Sequence, residues 1–366
     1  MMKTLLSTLI LFLSLNASAF SISSEIAELN KTYGRSQDYP ILVLDKADLN
    51  AYIKSLKIDK SLNQGEQERE LIKALMMYIY SRFNYKMNPA DATELISYAT
   101  EPVRGASAMP FFVDNIHHKM RLCLVLPTDV EPDHIKEIKT IIGADDQPQL
   151  FKNFDIQKAA TLMTSEELQL FTIYHELSHC LDQKYLPEMY EAETDPWAVH
   201  RAESFAETNA LFMIAQRKGL NNLAYPRSLL RTAYSKIYGP FLANTEGSPF
   251  TNIVVKSAGS SYFLSIPMMK AQEVISNENA KIQAMTLAQT IALSQQVVEN
   301  FGLTKFGSEA LRAYISEGSE KTLERYQRLA SKNSKMFGKA YEELLVVDSW
   351  MKSLDERIQI WPRTTP

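Results

Sequence analysis

The sequence predicts a mostly helical α+β protein, and two features of its pattern indicate this class. Apolar residues recur at helical spacing through most of the chain, as in residues 66–83, where one side is apolar and the other is charged. Runs typical of strands are short and lie in the N-terminal part of the chain, at residues 40–44, 111–113 and 120–126. We therefore expect a small sheet with helices packed around it.

The order of the predicted elements follows from where apolar periodicity starts and where Gly or Pro interrupts it. In the first half of the chain, helices are predicted over residues 20–33, 47–57, 66–83, 91–98, 132–142 and 164–184. In the second half, they are predicted over residues 197–218, 226–238, 268–300, 306–316, 319–331 and 335–354. The strands 111–113 and 120–126 are separated by a polar stretch, so we expect a hairpin ahead of the 164–184 helix.

Residues 1–19 have the pattern of a secretory signal. Lys3 supplies the positive start, residues 5–15 the apolar run, and residues 17–19 (Ala-Ser-Ala) the small-residue cleavage site. This run is too short to span a membrane comfortably, and no later run of about twenty apolar residues appears. We therefore expect the chain to be exported, to a bacterial periplasm or to the medium, and to have no membrane span.

A cluster of turn-forming residues predicts two lobes in the exported part of the chain. Residues 239–261 collect several glycines, prolines and serines. We place a boundary there, with an N-terminal lobe at 20–245 and a helical C-terminal lobe at 246–366. The N-terminal lobe divides further into a helical part, 20–105, and a part that contains the hairpin and the HExxH motif, 106–245.

Composition limits both the partners and the redox chemistry of the chain. The net charge is −4, and no basic patch or arginine-rich stretch indicates nucleic acid as a partner. Two cysteines are present, Cys123 and Cys180. In an oxidising compartment they could form a disulfide; the alternative is two buried small apolar side chains, and the sequence leaves both open.

An H-E-x-x-H motif occupies residues 175–179, inside the predicted helix 164–184. His175 and His179 are four residues apart, so they lie one turn apart on one helical face and both imidazoles can reach one ion. Glu176, one step round the helix, can hold a water bound to that ion, which is what zinc hydrolases need. With six histidines in 366 residues, a chance match is expected about once in a hundred such chains or less often.

The start of the motif helix carries its own signal. Thr164 followed by Glu167 forms a capping box, which places the motif in the middle of the helix. An apolar stripe lies roughly opposite the two histidines and consists of Leu170, Tyr174, Leu177 and Leu181. One face of the helix is therefore expected to pack, and the other is available to a metal ion.

Two histidines do not hold a catalytic zinc ion by themselves, so a third protein ligand is needed. The helix predicted over residues 197–218 carries His200, Glu203 and Glu207 on one stripe. Glu203 is the best candidate, because the twenty-three residues between it and His179 allow an antiparallel helix to return beside the motif. Glu207, one turn on, would accept the free N–H of a ligating histidine and orient its ring; the alternative for Glu207 is a solvated surface position.

Other residues near the predicted site have more than one interpretation. His200 is a rival for the third ligand, since it shares a stripe with Glu203, and it could instead stabilise an oxyanion from the far side of the cleft. Tyr190 and Tyr234 are further candidates for an oxyanion donor, with a structural role as the alternative for each. Asp182, just past the second histidine of the motif, either lies beside the site or is solvated.

Residues 175–179 (HELSH) followed by residues 203–207 (ESFAE) resemble the gluzincin class of zinc metallopeptidases, the thermolysin-like group. In that class a downstream helix brings a glutamate ligand and an acidic residue four positions later. The resemblance covers residues 175–207. The longer metzincin pattern is absent, because Gly and His are not found at the required positions after His179.

The resemblance implies a role for each matching residue. His175, His179 and Glu203 would bind one Zn²⁺ per chain, Glu176 would be the general base, and Glu207 would be the acid beside a ligand. It also implies a zincin-like core, with the small sheet above the motif helix and the helical remainder below it. A cleft would run between them over the metal.

These observations lead to an exported zinc-dependent metallopeptidase with a peptide or protein as its substrate. An alternative of another class is a metal-containing helical binding or assembly protein without catalytic activity, in which the helical C-terminal lobe docks a partner. A third option is hydrolysis of an amide that is not a peptide. The presence of Glu176 favours an enzyme, because a purely structural zinc site has no use for a base.

Overall fold

The computed structural model of the protein describes residues 21–361, apart from 37, 58–60, 103–104, 114–118, 130, 187–193 and 246–252. Within this part the chain is mostly helical and contains a three-stranded sheet. The mostly helical α+β class predicted from the sequence is therefore confirmed. The predicted signal segment 1–19 lies outside the described residues.

The first part of the chain mixes short helices with the strands of the sheet. Its strands are β1 (Ile41–Val43), β2 (Ser107–Phe112) and β3 (Met120–Leu126). Its helices are α1 (Ile22–Tyr33), α2 (Lys46–Ser55), α3 (Gln64–Phe83), α4 (Pro89–Glu94), α5 (Ile96–Thr100), α6 (His134–Ile142), α7 (Ile156–Ala159) and α8 (Ser165–Leu181). A 3₁₀ turn, Pro148–Phe151, lies between α6 and α7.

The second part of the chain is helical. Its helices are α9 (Pro196–Lys218), α10 (Ala224–Ala233), α11 (Gly239–Asn244), α12 (Ile253–Ser261), α13 (Ser265–Gln283), α14 (Leu287–Phe301), α15 (Lys305–Glu317), α16 (Ser319–Lys332), α17 (Ser334–Lys352) and α18 (Leu354–Ile360). A π-helix, Tyr234–Tyr238, joins α10 to α11. Among the described residues, no helix combines the length and the apolar character needed to cross a membrane.

The strands lie in the order β1-β3-β2, so β3 is central and β2 is an edge strand. β1 pairs with β3 in parallel, with Ile41 opposite Cys123. β2 pairs with β3 in the antiparallel sense expected of the predicted hairpin, with an irregularity at Phe111/Phe112. The connection between these two strands, residues 114–118, lies outside the described residues.

The central strand separates two cores. Because successive side chains of a strand point to opposite faces, Cys123 and Val125 join the core that contains α8, while Leu122, Leu124 and Leu126 join a second core formed with α2, α3, α4 and α5. The sheet is therefore a middle layer, with the motif helix α8 on one face and the N-terminal helices on the other. This arrangement fixes the position of α8 relative to the edge strand β2.

Helix α8 begins and ends at residues whose side chains cap it. Thr164 accepts a hydrogen bond from the N–H of Glu167, and the Glu167 carboxylate accepts one from the N–H of Thr164, so the predicted capping box is present. The helix ends at Leu181, three residues before the predicted end, because Oδ1 of Asp182 accepts the N–H groups of Lys184 and Tyr185 and turns the chain.

Helices α8 and α9 run antiparallel, as the sequence predicted for a returning helix. His179 near the end of α8 lies beside Glu203 near the start of α9, and Ser178 accepts a hydrogen bond from Asn209 at 2.9 Å. Further along α9, Arg217 lies beside Tyr174, which is nearer the start of α8. Later positions in α9 therefore contact earlier positions in α8, as in an antiparallel pair.

The sequence predicted that the helix over residues 226–238 ends before Gly239 and Pro240. In the structure these two residues instead begin α11, with Pro240 as an early helical residue. A Cβ on Gly259 of α12 would lie 2.6 Å from Cα of Gly239, so the absence of a side chain lets α11 and α12 cross closely. The helix predicted over 91–98 is likewise two short helices, α4 and α5.

The helix predicted over residues 268–300 is also two helices. Thr286 forms a capping box with Gln289 and starts α14, three residues after α13 ends at Gln283. The main core contains buried residues from Ile26 in α1 to Ile358 in α18, so helices on both sides of the predicted boundary at residue 245 contribute to it.

Cys123 and Cys180 form a disulfide with a Cα–Cα distance of 5.8 Å. The bond joins the central strand to α8 one residue after His179. The hydroxyl of Tyr39 donates to the carbonyl oxygen of Cys180 at 2.7 Å and adds a second tie at the same place. Of the two alternatives that the sequence left open for these cysteines, the structure therefore has the bonded one.

Candidate metal centre

The structure brings His175, His179 and Glu203 together between α8 and α9. One potential ligand atom from each lies within 4.8 Å of the others. Nε2 of His175 is 3.2 Å from Nε2 of His179 and 3.2 Å from Oε2 of Glu203, and Nε2 of His179 is 3.5 Å from Oε1 of Glu203. These three side chains can hold a metal ion.

The spacing of these atoms fits tetrahedral zinc. Ligand atoms that lie about 2.0–2.1 Å from a tetrahedral zinc ion are separated from each other by about 3.3 Å. The separations of 3.2–3.5 Å between the two imidazole nitrogens and the carboxylate oxygens are close to this value. Two nitrogen donors and one carboxylate are also the donor set of one class of catalytic zinc site.

The electrostatics of the cluster favour a positive charge at its centre. Burial lowers the pKa of His179, but hydrogen bonding and charge from Glu203 outweigh burial and raise that pKa to about 9. Burial also raises the pKa of the Glu203 carboxyl, yet the two histidines hold it well below its usual range. Oε2 of Glu203 is buried and has no hydrogen-bond partner among the described residues, as expected of an atom suited to a cation.

Glu176 lies next to the cluster but outside it. Its Oε1 is 4.0 Å from Nε2 of His175, and its side chain lines the same cavity as the three candidate ligands. In this position the carboxylate is too far from the histidines to be a ligand of the same metal ion. It is near enough to contact a water molecule that lies between it and the ion.

Glu207 is fully buried, so the solvated alternative for this residue is wrong. Its Oε1 accepts from Nη2 of Arg227 at 3.1 Å and from Nε and Nη2 of Arg231 at 2.7 and 2.5 Å. Burial raises its pKa, but the two guanidinium groups lower it to about 2. Nδ1 of His175 is 3.6 Å from Oε1, which is longer than a hydrogen bond.

His200 does not belong to the cluster, although it shares a helix with Glu203. Its Nδ1 lies 3.1 Å from the carbonyl oxygen of Ser261, and its Nε2 accepts the N–H of Leu303 at 3.2 Å. Burial lowers its pKa to about 4, which keeps the ring neutral. Both ring nitrogens are therefore used to hold neighbouring segments together, and this position does not favour His200 as a ligand or an oxyanion donor.

Asp182, the other residue with two interpretations, is buried. Its Oδ1 accepts backbone N–H groups at the end of α8, while its Oδ2 is buried and finds no partner within the described part of the chain. Burial raises the pKa of this carboxyl. The residue is therefore not solvated, and its negative charge contributes to the raised pKa of His179.

A cavity of about 960 Å³ opens over the cluster. The edge strand β2 contributes Ser107, Ala108 and Pro110 to its wall, and α8 contributes Gln169 and Thr172. Helix α6 and the segments on either side of it form another side, which carries several charged residues: Glu131, Lys136, Glu137 and Asp145. The candidate metal centre therefore lies in a cleft large enough for several residues of an extended chain.

Two tyrosines line this cavity. Tyr234, an oxyanion candidate from the sequence, stands at the start of the π-helix, and its ring contacts that of Tyr262 edge to face at a centroid distance of 5.9 Å. The charge of Glu203, followed by burial, raises the pKa of Tyr262, and burial raises that of Tyr234. Both therefore keep their hydroxyl proton. Tyr190 lies outside the described residues.

Three residues of the site carried no clear signal in the sequence. Arg227 and Arg231 are four residues apart in a predicted helix, so their shared face could have been identified, but not the carboxylate that they meet. Tyr262 lies in the turn between α12 and α13, far along the chain from the motif.

Comparison of the chain with models of protein families, with curated proteins and with solved structures finds no match. What the site can bind therefore follows from its own donor atoms, their separations and their surroundings. These features make His175, His179 and Glu203 a group that could hold a metal ion.

Proposed function

We propose that the protein is an exported zinc-dependent peptidase with a gluzincin-type site on a zincin-like core. The observation that carries this proposal is the convergence of the His175, His179 and Glu203 donor atoms, with Glu176 beside them, on the floor of an open cavity. The donor set, the separations near 3.3 Å and the unpartnered Oε2 of Glu203 support zinc.

Zinc bound there would lower the pKa of a coordinated water from about 16 to about 7. Glu176 would accept a proton from the attacking water while the water oxygen forms a bond to the carbonyl carbon of the scissile peptide. Glu176 would then deliver that proton to the departing amine as the carbon–nitrogen bond breaks. The proton that remains on the new carboxyl group then passes to the amine. The products are therefore a carboxylate and an ammonium group, and the glutamate returns to its starting state.

Tyr234 and Tyr262 are the best-placed donors for the negative charge that develops on the carbonyl oxygen. Both line the cavity, and both keep their hydroxyl proton because their pKa values are raised. The charge of Glu203 raises the pKa of Tyr262 more than burial does, which supports a role for this hydroxyl beside the candidate ligands. One hydroxyl from this pair would donate to the oxyanion.

The position of β2 supports a peptide as the substrate. It is an edge strand, and three of its residues line the cavity over the candidate metal centre. An extended peptide can pair with the free edge of such a strand and place its carbonyl groups in register over the metal. Residues 1–19 and the Cys123–Cys180 disulfide support export to an oxidising compartment.

The test is the substitution Glu176→Gln, compared with wild type on a library of unstructured peptides. We expect kcat/KM to fall about 100- to 10 000-fold, because a general base contributes that much, while zinc content stays at about one per chain. Glu166→Gln is the matched control, since it removes an exposed carboxylate from the same helix, and it should change kcat/KM little.

Two results would contradict the proposal in different ways. Unchanged hydrolysis by Glu176→Gln would exclude this residue as the base. A zinc-loaded wild-type protein that hydrolyses no peptide in the library would favour the alternative, a metal-containing binding protein without catalytic activity. Elemental analysis of each protein distinguishes loss of the base from loss of the metal.

A further inference from the structure

Arg231 reaches the cavity beside the candidate metal centre with part of its guanidinium group unused. Its Nε and Nη2 donate to Oε1 of Glu207, and the face of the group lies over the ring of Tyr262, with Cζ at 5.1 Å from the ring centroid. Among the described residues no acceptor is found for Nη1, and this atom is not among those sealed from solvent. Arg231 therefore presents free N–H donors to the cavity.

The surroundings of Arg231 leave it short of negative charge. Glu207 is shared with Arg227, so one buried carboxylate serves two guanidinium groups. The next carboxylate, Glu203, is 4.0 Å from Nη2 of Arg231 and is also the anionic member of the candidate ligand set. A metal ion bound to Glu203 would offset the negative charge of that carboxylate. Arg231 would then have less negative charge near it, so an additional anion beside Nη1 would be favoured.

The wall of the cavity formed by α6 and the segments on either side of it carries mostly acidic residues. Glu131, Glu137 and Asp145 line it, with Lys136 paired to Glu131 at 2.7 Å. Since α6 packs against α10, this acidic wall adjoins the helix that carries Arg231. A carboxylate on a substrate would be repelled by the acidic wall and attracted by Arg231, which limits the places in the cavity where it can bind.

We propose that Arg231 binds a carboxylate of the substrate next to the scissile bond. The carboxylate is either the C terminus of the peptide, which would make the protein a carboxypeptidase, or an acidic side chain. This inference rests on the proposed peptidase function and names the substrate class of that site. The physical basis is a charge-assisted hydrogen bond in a partly desolvated site, where such bonds are strong.

Binding of peptides tests this inference without requiring catalysis. The probes are four acetylated, alanine-based octapeptides with Glu or Gln at the fourth position and with a free or an amidated C terminus. Isothermal titration of zinc-loaded Glu176→Gln protein measures the affinity of each. We expect at least one carboxylate-bearing peptide to bind about tenfold to a hundredfold more tightly than the neutral peptide.

The source of the carboxylate is read from the same set of peptides. A preference for both free-acid peptides over both amides identifies the C terminus, and a preference for Glu over Gln identifies an acidic side chain. In the Glu176→Gln background, adding Arg231→Met should abolish the preference. Adding Lys136→Met, which removes another cation of the cavity, should leave it within about twofold, because that charge is exposed and screened.

The inference is wrong if the neutral peptide binds as tightly as the others, if no peptide binds, or if Lys136→Met abolishes the preference and Arg231→Met does not. The peptide comparison in the Arg231-containing protein stands even if Arg231→Met does not fold. Failure of the peptidase proposal would give a different result. The affinity would still depend on the carboxylate, but the wild-type protein would hydrolyse none of the peptides. Equal kcat/KM on all four peptides would support the peptidase and contradict the role of Arg231.

Discussion

The α8–α9 pair holds a buried carboxylate near each of its ends. At one end Glu25 of α1 receives a hydrogen bond from the hydroxyl of Tyr174 at 2.5 Å and pairs with Lys218, while Nε of Arg217 lies 3.9 Å away. At the other end Glu203 faces two imidazole nitrogens, and its Oε2 has no hydrogen-bond partner in the part of the chain that the structure describes. Both carboxylates belong to largely buried side chains, and the groups that surround them are of opposite kinds.

The difference lies in what each carboxylate still needs. Around Glu25 the neighbours are hydrogen-bond donors and cations, so the negative charge is balanced within the protein. Around Glu203 the neighbours are the Nε2 atoms of two histidines. These atoms are acceptors when each neutral ring carries its proton on Nδ1, and their lone pairs then point at the same centre as those of the carboxylate. Such a centre is stable when it holds a proton or a metal cation. The comparison therefore separates a buried charge that holds the fold together from one arranged for binding.

The largest expected effect is on zinc. Glu203→Ala should reduce the zinc content from about one per chain to near none, because two histidines do not hold the ion alone. It should also remove the stabilisation by zinc, which is about 4 kcal/mol when free zinc is a thousandfold above its Kd. Elemental analysis and thermal unfolding with and without zinc measure both.

His200→Ala is the informative comparison for Glu203→Ala. Because the ring nitrogens of His200 contact Ser261 and Leu303, this variant should keep its zinc while losing some stability. If zinc were lost in His200→Ala and kept in Glu203→Ala, the third ligand would be His200 and not Glu203.

The disulfide comes next in expected size. Cys123 and Cys180 are 57 positions apart in the chain, and opening a loop of that length costs about 4 kcal/mol of folding free energy in the loop-entropy account. Cys123→Ser combined with Cys180→Ser should lower the free energy of unfolding by up to that amount, measured by chemical denaturation. Zinc content in the folded variant should persist, since the ligands lie on α8 and α9; its loss would show that the sheet positions the ligands as well.

The smallest expected effect is on stability, at the end of the α8–α9 pair where Glu25 lies. Glu25→Gln should lower the free energy of unfolding by about 2–3 kcal/mol, because Lys218 loses its buried anion but is partly exposed and can turn to solvent. Zinc affinity should not change. Glu28→Gln, an exposed position on the same helix, is the control and should stay within about 0.5 kcal/mol of wild type. A loss of zinc affinity in Glu25→Gln would remove the distinction between the two ends.

The parts of the site that the sequence predicted well are those defined by positions close together in the chain. The capping box at Thr164 and the four-residue spacing of the histidines fix the motif within one helix. The spacing of Glu203 and Glu207 similarly places both on one face of α9, and the structure has both facing His175. Helical periodicity is a property of contiguous backbone, so a short stretch is enough to predict it.

The sequence left open the positions that depend on a neighbouring element. His200 shares a stripe with Glu203, but Ser261 and the chain before α15 take up its ring. Glu207 was expected to orient a histidine, whereas two arginines from α10 hold it 3.6 Å from that ring nitrogen. Neither partner is close in sequence, so periodicity carried no information about them.

By itself the sequence determined the helical class, the caps of α8, and the residues able to act as ligands, because these follow from local backbone preferences and from the chemistry of single side chains. The tertiary structure decided which of those residues meet. It selected the bonded state of Cys123 and Cys180, placed the edge strand over α8, and brought Arg231 and Tyr262 to the cavity. Distances between elements result from the packing of the whole core, so no single stretch of the chain could specify them.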